Sequence, residues 1–186
     1  MTPDLLNQQR LAWRKALLGA RKTMPPAVRA QADATLDQQL RAALDSIAGG
    51  VLAFYWPIQA EFDPRPAITA WLAGNSARQA ALPVVMGKQQ PLQFRAWSSA
   101  TVMQPAGFGT SVPSTGEWLV PTVLLIPLVG FDDQGYRLGY GGGFYDRTLA
   151  ALMSRPRTIG IGYAAGRLDS IHPQPHDFKL DALLTG

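Results

Sequence analysis

The segment from residue 122 to residue 147 reads "TVLLIPLVGFDDQGYRLGYGGGFYDR" and joins the most apolar run of the chain to a cluster of four glycines. An uninterrupted apolar run of this length is typical of a strand buried on both faces. The residues after the glycines have the spacing of a helix. Glycines let consecutive N–H groups point inward, and a helix N-terminus adds partial positive charge there. This order predicts an α/β fold with an anion site, and phosphate is the expected ligand.

Strands and helices alternate on both sides of this segment. Two helices are predicted before the first strand, and proline or glycine pairs end them. The alternation predicts a three-layer α/β/α sandwich around a mostly parallel sheet, with residues 1–186 as a single domain. The predicted helices span 5–23, 28–47, 63–75 and 144–153, and the predicted strands 51–56, 80–85, 91–97, 122–131, 158–164 and 181–185, with 91–97 as an exposed or edge strand and Asp63 as an N-cap.

Composition limits the class of protein. The 186 residues are 47% hydrophobic, as in an ordinary globular domain, and include no cysteine for a disulfide or a thiolate metal site. The first residues, "MTPDLLNQQRLAWRK", lack the apolar core of a secretory signal, and no apolar run approaches the roughly 20 residues of a membrane span. We therefore expect a soluble, cytoplasmic monomer without membrane partners.

Positive charge is concentrated near the N-terminus. Seven of the 17 basic residues, but only three of the 13 acidic ones, lie in residues 1–41. Such an excess suits an anionic ligand, which on charge alone is a nucleic acid, a membrane surface or a polyphosphate. Arg10, Arg14 and Arg21 share one face of the first predicted helix, next to the row of apolar residues on the same helix. The simplest interpretation is that their stems cover the edge of the core while the charged ends reach water.

The glycine cluster matches neither of the common nucleotide-binding motifs. No Lys-Ser or Lys-Thr pair follows the last glycine, as a Walker motif requires, and the G-x-G-x-x-G spacing of a dinucleotide fingerprint is missing. A flexible hairpin or omega loop is the alternative for glycines taken alone.

The residues that flank the glycines favour the phosphate site. Asp146 in the first helical turn either caps the helix or holds Mg²⁺ beside a polyphosphate. Arg137 precedes the loop and is placed to close over phosphate oxygens. Tyr140, Phe144 and Tyr145 offer flat surfaces to a ring, or else are core aromatics.

The chain resembles the 5-formyltetrahydrofolate cyclo-ligases, also called 5,10-methenyltetrahydrofolate synthetases. The resemblance spans nearly the whole chain, and its central motif is long and distinctive. It is carried by "IPLVGFDDQG" and "RLGYGGGFYDR", by "TIGIGYA" and the closing "HPQPHDFKLDALLTG", and by Arg10, Arg14, Tyr55, Pro57, Glu61, His176 and Asp177.

The resemblance implies an α/β/α sandwich that uses ATP and Mg²⁺ to convert 5-formyltetrahydrofolate into 5,10-methenyltetrahydrofolate, with release of ADP and phosphate. It implies Asp146 and Asp177 as metal ligands, and Arg137 and Asp146 as the catalytic pair. The implied folate-binding residues are Trp56, Glu61, Tyr140 and Phe144, and the implied ATP-binding residues are Arg10, Arg14, Arg137, Leu138, Gly139, Tyr140, Gly141, Gly142, Gly143, Phe144 and Tyr145.

The sequence departs from the family pattern at two places near its end. A glutamine common after the strand equivalent to "TIGIGYA", and a glutamate common before the final "HD", are replaced here by residues 164–167 and 173–175. Two alternatives therefore stay open: a diverged paralogue that binds ATP but acts on another substrate, and a noncatalytic nucleotide-binding or RNA-binding protein. The sequence supports RNA binding only weakly, because aromatic residues are not interleaved with the basic residues. We therefore expect no nucleic-acid partner.

Overall fold

The computed structural model describes residues 2–186. This part of the chain has four helices, as predicted, and eleven strands, of which six correspond to the predicted ones and five are short strands of two or three residues. The helices are α1 (Pro3–Lys22), α2 (Pro26–Asp45), α3 (Arg65–Ala73) and α4 (Phe144–Ala151). The strands are β1 (Gly50–Ala53), β2 (Arg78–Val85), β3 (Leu92–Trp97), β4 (Met103–Pro105), β5 (Ser111–Pro113), β6 (Trp118–Leu119), β7 (Val123–Pro127), β8 (Gly130–Phe131), β9 (Arg137–Leu138), β10 (Arg157–Gly162) and β11 (Ala182–Thr185).

Seven of these strands form the central sheet, in the order β11-β10-β7-β1-β2-β3-β6. Neighbouring strands from β11 to β2 run parallel, whereas β3 is antiparallel to both β2 and β6. The predicted mostly parallel sheet is therefore confirmed. The predicted edge strand, β3, has one further neighbour, but β6 is only two residues long and covers it at Phe94 and Arg95 alone.

The layers follow from the alternation of side chains along β7, near the middle of the sheet. Val123 and Leu125 point to a core formed with α2 and α3. Leu124 and Ile126 point to the opposite face, where Leu149 of α4 packs against them. One apolar strand therefore serves two cores, as a buried parallel strand must. This arrangement is the predicted three-layer sandwich.

Helix α1 buries arginines rather than its apolar seam. Its buried residues are Arg10 and Arg21, whereas Leu17 is half-buried and Ala20 is exposed. The expectation that the arginine stems merely cover the edge of the core is wrong for Arg10 and Arg21. Their guanidinium groups turn inward because carbonyl and carboxylate oxygens lie there to accept their N–H groups.

A short hairpin, missed from the sequence, separates the apolar strand from the glycines. β8 and β9 pair with each other outside the main sheet, and the glycine loop follows β9. Two other boundaries shift: β1 ends at Ala53, and α3 starts at Arg65 with Pro64 as its N-cap. Asp63 still accepts the amide N–H of Arg65, at 3.0 Å, so its predicted cap contact is displaced rather than lost.

The fold gathers three loops at one edge of the sheet. The segments that follow β1, β7 and β10 all leave the carboxyl ends of parallel strands, which is where ligands bind in open α/β sheets. Within residues 2–186, no helix has both the length and the apolarity needed to cross a bilayer.

Candidate active site at the carboxyl ends of the parallel strands

The amides of the glycine loop are free to bind a ligand. None of the backbone N–H groups from Gly139 to Gly143 donates to an acceptor anywhere between residue 2 and residue 186. Gly141 and Gly143 have φ values of 95° and 63°, a region that glycine enters without strain. Left-handed residues between right-handed ones turn successive amides toward one concavity, and that concavity binds anions. The loop also leads into α4, whose N-terminus adds partial positive charge.

Two arginines hold the loop by its carbonyl oxygens. Arg14 donates from Nε to the Gly139 carbonyl at 2.7 Å, and Arg147 donates from Nη2 to the Gly142 carbonyl at 2.6 Å. A trans peptide places its C=O and the following N–H on opposite sides. Fixing these two carbonyls therefore fixes the direction of the amides of Tyr140 and Gly143. We interpret both arginines as preorganising the loop.

Arg14 also brings charge of its own. Burial and the nearby positive charge of Arg10 lower the pKa of the Arg14 guanidinium, and Asp177 partly opposes this effect. Only Nε of Arg14 is engaged among the described residues, so its two terminal nitrogens are available to an anion. Burial and the like charge of Arg10 both disfavour the charged guanidinium, and a bound anion would offset both effects.

Arg10 binds the C-terminal loop rather than the glycine loop. Its Nη2 donates to Asp177 Oδ2 at 2.6 Å and to the His172 carbonyl at 2.9 Å, and its Nε donates to the Ile171 carbonyl at 3.2 Å. Arg10 is 7% exposed, so the pair is largely desolvated. Breaking such a pair leaves a buried charge without a partner. Arg10 therefore positions Asp177, one of the two predicted metal ligands.

Arg137 does the same for Asp146, the other predicted metal ligand. Its Nη2 donates to Asp146 Oδ1 at 2.6 Å, and its Nη1 donates to the Phe178 carbonyl at 2.9 Å. The amide of Phe178 in turn donates to Asp146 Oδ1 at 3.2 Å. Each terminal nitrogen of Arg137 therefore donates one of its two N–H groups within the chain. Its predicted contact with phosphate remains a prediction, and the geometry supports a positioning role toward Asp146.

Each of the two predicted metal ligands keeps one carboxylate oxygen without a hydrogen-bond donor in the described part of the chain. Asp146 Oδ2 and Asp177 Oδ1 accept no hydrogen bond from any residue described here, and Phe178 links the two through the main chain. No group of three or more candidate ligands exists within residues 2–186. Mg²⁺ commonly takes one or two carboxylates and completes its shell with water and substrate phosphates. The donor set has this composition.

A second network joins the loop after β1 to the glycine loop. The Tyr140 hydroxyl donates to Glu61 Oε1 at 2.6 Å, and the Ile58 amide donates to Glu61 Oε2 at 2.9 Å. Arg21 Nη1 lies 3.8 Å from Glu61 Oε1 and donates to the Tyr140 hydroxyl at 3.3 Å, while its Nη2 donates to the Leu128 carbonyl. Arg21 therefore connects two predicted folate-binding residues to the end of β7.

The Glu61 carboxyl titrates above the usual range. Burial raises its pKa, and the hydrogen bonds from Tyr140 and Ile58, with the charge of Arg21, only partly offset this effect. The same burial, with the charge of Glu61 and the hydrogen bond to it, raises the pKa of the Tyr140 phenol. A buried carboxyl with a raised pKa at the edge of a cleft is a candidate functional group.

Aromatic side chains surround this network. Phe144 and the exposed Phe108 form an edge-to-face pair with 6.0 Å between ring centroids. Trp56 lies under the Arg65 guanidinium at 4.4 Å and borders a cavity of about 440 Å³. Tyr145 packs against the α4 core, and burial raises the pKa of its phenol. The predicted aromatic residues therefore divide between the site and the core.

The structure brings most of the predicted site residues to one edge of the sheet. Leu138 is the exception among the loop residues, because it is buried in β9 and pairs with Gly130. Arg21 and Arg147 lie in the site but are not among the predicted site residues. Arg21 shares a helix face with Arg10 and Arg14, and Arg147 is the last residue of the glycine motif. Both positions could therefore have been proposed as site residues from the sequence.

Asp132 is a buried carboxylate that organises the loops around the site. It has no exposed surface, and its oxygens accept the amides of Gln134, Tyr136 and Ile171 at 3.0–3.1 Å. Asp132→Ala leaves one buried and two partly buried amides without their acceptor, and we expect a loss of about 3 kcal/mol in unfolding free energy. Denaturant unfolding measures this loss.

The neighbouring Asp133 provides a matched control. Its side chain is 71% exposed and pairs with Arg167 at 2.9 Å. Because exposed ion pairs contribute little, Asp133→Ala is expected to cost under about 0.5 kcal/mol. Equal losses in the two variants would contradict the structural role of Asp132.

Known proteins with similar sequences and folds identify the family. A model of the 5-formyltetrahydrofolate cyclo-ligase family matches residues 6–186. A 5-formyltetrahydrofolate cyclo-ligase from Mycolicibacterium smegmatis is 34% identical over 185 residues, which cover 92% of this chain and 91% of that protein.

Two solved structures share the fold. A 5,10-methenyltetrahydrofolate synthetase from Mycoplasma pneumoniae gives a TM-score of 0.76 at 27% identity, over 94% of this chain and 97% of that one. An NMR structure of the synthetase from Aquifex aeolicus gives a TM-score of 0.75 at 26% identity, over 95% and 89% of the two chains. The family match over residues 6–186 and these relatives show that this chain belongs to the 5-formyltetrahydrofolate cyclo-ligase family.

Proposed function

We propose that this protein converts 5-formyltetrahydrofolate into 5,10-methenyltetrahydrofolate with consumption of ATP and release of ADP and phosphate. The observation that carries the proposal is the row of five unpaired amides from Gly139 to Gly143, preorganised beside the family's predicted folate residues. Family membership supplies the substrate, and the free amides supply a place for the phosphates of ATP.

The chemistry needs activation of a poor electrophile. The N5-formyl group is an amide, and its carbon reacts slowly with the neighbouring N10 amine. Transfer of the γ-phosphoryl group to the formyl oxygen turns that oxygen into a leaving group. N10 then forms the new C–N bond, loses its proton, and phosphate departs with the former formyl oxygen. The protein needs no covalent nucleophile, and positioning and charge stabilisation are enough.

Each part of the site has a role in this scheme. The loop amides and the free terminal nitrogens of Arg14 bind phosphate oxygens whose charge is redistributed during transfer. Mg²⁺, held by Asp146 and Asp177, would neutralise phosphate charge when bound. Glu61 and Tyr140 hold the polar edge of the folate ring, and Phe144 packs against that ring.

One assay tests the proposal directly. We expect the near-ultraviolet absorbance of the methenyl product to grow when the protein is mixed with ATP, Mg²⁺ and 5-formyltetrahydrofolate, and to stay flat when any one is omitted. Folded protein that binds ATP without forming this product would instead support a diverged paralogue. No observation favours the RNA-binding alternative, because Arg10 and Arg21 are buried and engaged within the chain.

A further inference from the structure

The turn that carries Glu61 has an unusual backbone. Gln59 and Ala60 have φ values of 47° and 59°, in the left-handed region. The Glu61 amide closes the turn by donating to the Ile58 carbonyl at 3.0 Å. A turn with positive φ at both central residues, as in type I′, favours Asn-Gly, because most residues with a Cβ are strained there. The segment 58–61, here called the Glu61 turn, is therefore held against its local preference.

Side-chain packing does not hold the Glu61 turn in this form. Gln59 and Ala60 are both exposed to solvent. The Ile58 amide donates to Glu61 Oε2 at 2.9 Å, and Arg29 of α2 donates from Nη1 to the Ala60 carbonyl at 2.8 Å. Strained backbone persists only where surrounding contacts determine it, and it is concentrated at functional sites. The Arg29 bond is such a contact, since it links the main chain of the turn to a helix.

Arg29 is itself held in one orientation. Its Nη1 also donates to the Tyr163 hydroxyl at 3.1 Å, and its guanidinium carbon lies 5.3 Å from the centre of the Tyr163 ring. That hydroxyl donates in turn to Asp33 Oδ1 at 2.7 Å, one helical turn after Arg29 in α2. Tyr163 is buried and directly follows β10. The sheet edge and α2 therefore fix the arginine that holds the turn.

Arg29 also holds the main chain of Arg21. Its Nη2 donates to the Arg21 carbonyl in the last turn of α1. The Arg21 side chain lies 3.8 Å from Glu61 Oε1 and donates to the Tyr140 hydroxyl. Arg29 therefore binds a carbonyl on each side of the Arg21–Glu61 pair, namely that of Arg21 itself and that of Ala60 next to Glu61.

We propose that Arg29 is a positioning residue that keeps the strained Glu61 turn closed and so holds the Glu61 carboxylate at Tyr140 for the folate substrate. The inference rests on the proposed function, since Glu61 is proposed to bind the folate ring. Without Arg29, the turn relaxes toward ordinary negative φ values and Glu61 moves away from Tyr140. If about one-tenth of the molecules then keep the closed turn, the apparent affinity for the folate falls about tenfold.

Rescue by glycine tests the proposal. Arg29→Ala is expected to raise KM for 5-formyltetrahydrofolate about tenfold and to leave KM for ATP unchanged. Ala60→Gly lets the turn form without strain, because glycine adopts positive φ freely. The double variant Arg29→Ala/Ala60→Gly is therefore expected to have a KM within about threefold of the wild type. An unchanged KM in Arg29→Ala, or a raised KM that Ala60→Gly does not lower, would overturn the proposal.

Hydrogen exchange gives a second measurement that does not depend on activity. Because the Glu61 amide closes the turn, its exchange is expected to be at least about tenfold faster in Arg29→Ala and slower again in the double variant. Equal exchange in Arg29→Ala and the wild type contradicts the proposed hold on the turn. If Arg29→Ala does not fold, Arg29→Lys takes its place, since lysine keeps the charge but lacks the fork that reaches both carbonyls.

A surface arginine of the same helix is the matched control. Arg41 pairs with Asp37 on the exposed side of α2, so Arg41→Ala is expected to change neither KM nor the exchange of the Glu61 amide. Equal effects of the Arg29 and Arg41 variants would overturn the assignment to Arg29. Wild-type protein that forms no methenyl product would remove the proposed function, whereas the exchange measurement would still decide whether Arg29 holds the turn.

Discussion

Asp146→Asn is expected to lower kcat at least about 100-fold in protein that remains folded, because the change removes the charge but keeps the shape. The amide oxygen of asparagine can still accept the Phe178 N–H and one Arg137 N–H, which now reach Asp146 Oδ1 at 3.2 and 2.6 Å. What disappears is the free anionic oxygen that would hold Mg²⁺. Steady-state kinetics well below the unfolding temperature measure the loss, and higher Mg²⁺ concentrations are expected to restore part of it.

A carboxylate outside the site separates this effect from stability. Asp181 accepts the Thr158 amide and hydroxyl at 2.7 and 2.8 Å and pairs with Arg155 on the surface. Asp181→Asn is expected to lower the unfolding temperature without changing kcat. If Asp146→Asn lost activity only in proportion to its loss of stability, Asp146 would be a helix cap and not a metal ligand.

Gly141→Ala is expected to raise KM for ATP at least about tenfold, because it distorts the phosphate loop. Gly141 has φ of 95°, and a side chain there is strained by about 1–2 kcal/mol. The added Cβ would also stand 3.3 Å from the guanidinium carbon of Arg14, which is held on Gly139. Either the loop or Arg14 must move, and both belong to the proposed phosphate site. Titration with a nonhydrolysable ATP analogue checks the loss of affinity.

Gly109→Ala controls for backbone strain alone. Gly109 has φ of 74°, and a Cβ added there meets no atom within 4 Å. This variant should lose a similar amount of stability and keep its affinity for ATP. An ATP affinity reduced equally in both variants would show that general destabilisation, and not the loop, explains the result for Gly141.

The sequence predicted the layers of the fold well because its signals were local. The uninterrupted apolar residues of β7 indicate burial on both faces, and the proline and glycine pairs around α1 and α2 mark where helices end. The hairpin of β8 and β9 could not be predicted, since strands of two residues have no periodicity. Pairing with the loop around Ile171, through Asp132, stabilises that hairpin, and such long-range contacts leave no local pattern.

For the candidate site, the sequence proposes residues but does not show their contacts. The glycine motif indicates a phosphate loop, and the resemblance adds Asp146, Asp177 and Glu61. The sequence does not show that Arg10 and Arg137 turn toward these carboxylates, because each pair is set by tertiary packing.

The contacts of the α1 arginines bear on the order in which parts of the molecule fold. Arg10 and Asp177 are 167 positions apart, and Arg14 and Gly139 are 125 apart. Contacts between such distant parts of a chain close large loops, and their entropic cost is met late in folding. We therefore expect the proposed nucleotide site to be completed late in folding, when the first helix docks against the last loop.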